Sequence, residues 1–133
     1  MDRKHARIAA MKLLYEWAMG GDGGRDTLEG LLEIQPGENE TDYMEALIEG
    51  VKGHAEELDA LIEQYAIDWR AERLRKVDLT ILRVAAYELV HTDLPTSVAI
   101  SEAVEMARAY STPESVPFIN GVLGNMARAI RAR

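Results

Sequence analysis

Residues 77–92 limit what this chain can become more than any other stretch. Wound as an α-helix, Val77, Leu79, Ile81, Leu82, Val84, Ala85, Ala86, Leu89 and Val90 leave almost no polar arc. A helix that is apolar nearly all round must be covered on most sides, so the rest of the chain has to supply elements that surround it. The other segments have the character to do so. Ala6, Ala10, Leu13, Leu14 and Trp17 recur at helical spacing over 3–19, and Gly20-Gly21-Asp22-Gly23-Gly24 stops that helix. A short helix is expected over 25–34, followed by a Pro36-Gly37 turn. Thr41 or Asn39 then caps a helix striped by Met44, Leu47, Ile48 and Val51, with Gly53 as its break. Leu58, Leu61, Ile62 and Tyr65 repeat the stripe over 55–66.

Beyond the turn at Leu94-Pro95, Ile100, Ala103, Val104 and Ala107 define a helix over 97–110. Thr112-Pro113 reads as an N-cap with proline at the first helical position, ahead of a last helix over about 115–130. Runs of β-branched residues are scarce. The expectation is an all-α protein of about seven helices, in two three-helix halves of a single domain over 1–133.

The last helix contains an anomaly. Pro117-Phe118-Ile119-Asn120-Gly121-Val122-Leu123-Gly124 places two glycines three residues apart, and each costs a helix interior roughly 1 kcal/mol relative to alanine. On an ideal helix they lie about 60° apart, which suits close approach by a neighbouring helix backbone. Phe118, the chain's one phenylalanine, stands at the helix entry just after Pro117.

Chemistry of the catalytic kind is hard to find. With no cysteine there are no disulfides, thiolate metal sites or cysteine nucleophiles. His5, His54 and His91 lie far apart in sequence and none shows metal-ligand spacing with a carboxylate, so they read as bystanders and no metal is expected. Glu56-Glu57 and Glu102/Glu105 read as solvated helix faces. The glycine cluster lacks the Gly-Lys-Ser/Thr of a phosphate loop. No enzyme and no cofactor are expected. No apolar run approaches the roughly 20 residues of a membrane span and no signal-peptide core opens the chain, so a cytoplasmic protein without membrane contact is the expectation.

Charge leaves room for nucleic acid. The formal net charge is −8, yet residues 21–66 hold thirteen acidic groups against two basic ones, while residues 1–20 hold four basic against two acidic. Screening over about 8 Å at physiological salt lets a distant acidic face coexist with a local basic one. Arg3, Lys4 and Arg7 crowd the first two turns of the first helix, where cations oppose the macrodipole and Asp2 offsets only part of the cost. That placement suits a phosphate-binding surface, and Tyr15 lies about 20° in azimuth from Lys4, in line to stack on a splayed base; the alternative on these residues is an ordinary basic N-terminus with Tyr15 packed in the core. On the central helix, Asp78, Arg83, Glu88 and His91, preceded by Glu72, Arg73, Arg75 and Lys76, fit either a solvated stripe on a core helix or the charged rim of a protein-binding patch.

Val98-Ala99-Ile100-Ser101-Glu102-Ala103-Val104-Glu105-Met106-Ala107, followed by Phe118-Ile119-Asn120-Gly121-Val122-Leu123, resembles the C-terminal half of the NusB family of bacterial transcription antitermination factors. Ala6-Arg7 with Leu14-Tyr15-Glu16-Trp17 resembles the family's first helix, and Val77-Asp78-Leu79 through Ala86-Tyr87-Glu88-Leu89 its central one. The resemblance implies two packed three-helix bundles that bind boxA RNA of ribosomal RNA transcripts. It also implies pairing with NusE, a ribosomal small-subunit protein, and loading of an antitermination complex on RNA polymerase. Carried over by position, it makes Arg3, Lys4, Arg7, Tyr15, Glu114 and Phe118 candidates for the RNA surface. Glu72, Asp78, Arg83 and Glu88 become candidates for partner contact. The alternative is a helical protein-interaction module, or a homodimer, without useful RNA binding.

Overall fold

A computed structural model describes residues 2–21, 40–67 and 69–131. Among them run six α-helices and one 3₁₀ turn: α1 (Arg3–Ala18), α2 (Glu40–Gly53), α3 (Ala55–Tyr65), the turn at Ala71–Arg73, α4 (Lys76–His91), α5 (Thr96–Tyr110) and α6 (Ser115–Arg131). The described residues contain no strand, in keeping with the all-α expectation. The helix anticipated over 25–34 lies outside the described residues. The chain divides into two compact units, Met1–Gly53 and His54–Arg133. Their described helices number two and four, so α3 groups with the C-terminal helices.

In the first unit α1 packs along α2. Ala6, Ala10, Leu13 and Leu14 of α1 are buried, as are Met44, Leu47, Ile48 and Val51 of α2, the residues of the two apolar stripes. α1 ends in a hydrogen-bonded cap: the Gly20 N–H donates to Trp17 O at 3.1 Å and the Gly21 N–H to Glu16 O at 2.9 Å. This closing turn needs a left-handed residue just past the helix, and Gly20 supplies it with φ +98°. Gly21 is tight for a different reason, since a Cβ there would meet Glu16 Cγ at 2.8 Å.

The second unit is built around α4, against which α3, α5 and α6 all pack. Ten of its sixteen residues are buried, which settles its central position. Full burial of a side chain such as Ile81 or Leu82 contributes about 1.5–3 kcal/mol, so α4 supplies much of the cohesion. α5 and α6 also pack on each other. A tight turn leads into α6, in which Thr112 acts as the cap. Its carbonyl accepts the Ser115 N–H at 3.0 Å and its hydroxyl lies 3.3 Å from the same nitrogen. Pro117 falls in the first turn of α6, where its missing N–H costs no helical bond.

Candidate nucleic-acid interface

The basic cluster of α1 belongs to the first unit. Asp2 caps the helix, its Oδ1 accepting the His5 backbone N–H at 2.8 Å and lying 2.6 Å from His5 Nδ1. The backbone bond first, then the imidazole contact, holds the Asp2 carboxyl below the usual carboxylate range. One anion thus stands at the helix entry beside several cations. Arg3 and Lys4 are exposed, and the Arg3 guanidinium lies 4.5 Å from the centroid of the Tyr43 ring. Tyr15 is half-buried.

Arg7 departs from the sequence expectation of a surface group. It is only 3% exposed, and its Nη2 donates to Tyr43 Oη at 2.7 Å. The reason lies in helical geometry: position 7 precedes the buried Ala10, Met11 and Leu14 by three, four and seven residues, which puts it on the apolar face. Arg7 therefore fastens α1 to α2 instead of facing solvent beside Arg3 and Lys4.

The second unit carries the aromatic part. Phe118, on the first turn of α6, is half-buried and meets Trp69 edge-on with ring centroids 6.4 Å apart. This pair, with Arg73, Arg75, Asp78 and Glu114, lines a groove of about 280 Å³. On its other flank Ile67, Pro117, Gly121 and Asn125 join the same two rings around a second depression of about 270 Å³. Trp69 is 50% exposed and Ile67 74%, so large apolar surface stands open to solvent here. Trp69 was not singled out by sequence reasoning, although a tryptophan in a short polar link between helices is itself a signal.

Of the partner-contact candidates only Glu72 presents an exposed side chain, with Oε1 3.6 Å from Arg70 Nη1. Asp78, Arg83 and Glu88 depart from a solvent-facing rim. Asp78 is buried and accepts the Ser111 hydroxyl at 2.6 Å on Oδ1 and the Ser115 hydroxyl at 2.7 Å on Oδ2. Arg83 makes a two-pronged bond to Asp59 of α3, at 2.7 and 2.8 Å, and Glu88 is 1% exposed. All three lie on a helix enclosed by its neighbours, and the charges of Asp78 and Arg83 are spent on internal fastening.

The glycines of α6 need a correction as well. A Cβ added at Gly121 meets nothing within 4 Å, and one at Gly124 meets only the Arg128 Nη1 atom at 3.6 Å. No neighbouring backbone presses on either, so close helix packing is not their reason. Gly121→Ala is expected to stabilise the free protein by about 0.5–1 kcal/mol in a denaturant titration. Because Gly121 lines the second depression, the same variant also reports whether a ligand uses that space.

The NusB family model matches residues 4–128. The chain belongs to the NusB family. A transcription antitermination protein NusB of Acetivibrio thermocellus is 42% identical over 130 residues, covering 96% of this chain and 90% of the relative. Among solved structures, T. maritima NusB is similar with a TM-score of 0.85 at 34% identity, covering 96% of this chain and 92% of that one. A chain from a crystal structure of the antitermination factors NusB and NusE in complex with double-stranded RNA gives 0.83 at 26% identity, covering 96% of each. The NusB match spans both units, including Lys4, Tyr15 and the Trp69–Phe118 groove.

Proposed function

We propose that this chain is an RNA-binding transcription antitermination factor without enzymatic activity. In this reading it holds boxA RNA of ribosomal RNA transcripts jointly with NusE and so joins the antitermination complex on RNA polymerase. The observation that carries the reading is the Trp69–Phe118 pair, solvent-accessible in a groove that Arg73 and Arg75 also line. Flat rings offer stacking platforms to unpaired bases, and flanking guanidinium groups suit the phosphates between them. The exposed Arg3 and Lys4 supply further phosphate contacts from the first unit. Membership of the NusB family, and the NusE and RNA of the related complex, support the same partners. None of the helices among the described residues is long and apolar enough to cross a membrane.

The test is RNA titration at several salt concentrations, with and without NusE. Arg3→Glu combined with Lys4→Glu should weaken boxA binding and flatten the logarithmic salt dependence by about 1.4, from roughly 0.7 per phosphate contact on a single strand. Helicity should be unchanged, because both side chains are exposed. Unchanged affinity and slope would remove these two residues from the RNA surface. Salt-insensitive behaviour of the unaltered protein, with a NusE complex still formed, would favour the protein-interaction reading over RNA binding.

A further inference from the structure

His54, Glu57 and His91 converge on one patch of the second unit. His54 is the N-cap of α3, Glu57 lies in the first turn of that helix, and His91 closes α4. One donor atom from each lies within 4.8 Å of the other two. His91 Nε2 is 3.0 Å from Glu57 Oε1, and the two imidazole centroids are 4.3 Å apart. Tyr87, one turn before His91, packs on both imidazoles at 5.8 and 5.2 Å.

We propose that His54, Glu57 and His91 form a binding site for a borderline divalent transition-metal ion, zinc being the representative. Two neutral imidazoles and one carboxylate match such ions, whereas hard magnesium and calcium prefer all-oxygen sets. In a tetrahedral zinc site with bonds of about 2.0–2.2 Å, donor atoms sit about 3.3 Å apart. The Glu57–His91 pair already stands near that separation, and the His54 donor lies within 4.8 Å of both. The positive end of α3 disfavours a cation, but Glu56 and Glu57 in its first turn oppose that field. Three protein ligands leave a fourth position for water or a donor from a partner. Bound metal joins the start of α3 to the end of α4, with Glu57 and His91 34 positions apart in the chain, and so acts as a clip on the second unit.

Calorimetric titration of the full chain with zinc chloride, with magnesium chloride as control, tests the proposal. One zinc per chain is expected, with a dissociation constant on the order of micromolar, no magnesium binding, and a raised unfolding temperature with zinc. Cobalt should give the intense visible absorption of a tetrahedral site. His91→Ala, His54→Ala and Glu57→Gln should each weaken zinc binding by at least about tenfold. All should keep the circular dichroism of the parent, because these side chains are exposed or only half-buried. His5→Ala, which removes the other histidine–carboxylate pair, should leave the titration unchanged. Absence of zinc binding overturns the proposal. So does binding that survives His54→Ala with His91→Ala, which would mean an adventitious ion only.

Discussion

Replacing Phe118 with alanine should weaken boxA RNA binding by between about fivefold and about 150-fold, the range that follows from losing one base–aromatic stack worth about 1–3 kcal/mol. The loss should leave the salt dependence of binding unaltered, because no charge is removed. That signature separates Phe118 from Arg3 and Lys4, whose reversal should change both. Phe118→Tyr keeps the ring and should retain most of the affinity. Trp69→Ala should reproduce the loss, since the two rings share one groove at 6.4 Å. Phe118 is only half-buried, so the truncation should cost less folding stability than loss of a core side chain such as Leu123. If RNA affinity held while NusE capture fell, the groove would be a protein-docking surface instead.

Much of the fold was legible because helix periodicity and burial speak the same language. The apolar cylinder over 77–92 became α4 at Lys76–His91, and stripes at Leu58 and Ile62 or at Met44 and Val51 found the core as a period of 3.6 demands. Charged residues were harder, because a charge is usually read as exposed. Arg7 had a signal, its register with Ala10 and Leu14, but the basic neighbours masked it. Asp78 and Arg83 depend on partners at Ser111, Ser115 and Asp59, which no local pattern discloses. The same is true of His54 and His91, distant in sequence and adjacent in space. Gly121 illustrates the opposite error: an unfavourable helix residue invited a packing explanation, while the structure leaves open space beside it.

Asp78 gives the largest expected effect on stability. Its two carboxylate oxygens accept separate hydroxyls, from Ser111 at the end of α5 and Ser115 at the start of α6, and those hydroxyls lie 3.0 Å from each other. One side chain in the first turn of α4 thus fixes the corner where α5 turns into α6. Asp78→Ala strands Ser115, itself 5% exposed, without its carboxylate acceptor. Hydrogen bonds to a charged group are worth about 1.5–3 kcal/mol each and do not add fully when they share a partner. The expected loss is about 3 kcal/mol, read as a lowered denaturation midpoint with unchanged slope. On a domain of this size that corresponds to a fall of more than about 10 °C in Tm. Asp78→Asn should cost less, since the amide preserves shape and one acceptor. The milder variant also has a functional use. Asp78 lines the groove that contains Phe118, so its loss should loosen the α6 entry and with it the ring placement on which stacking depends. Asp78→Asn that keeps near-normal stability yet loses NusE or RNA binding would make the carboxylate a direct contact. Loss of binding only in step with loss of stability would make it a positioning residue.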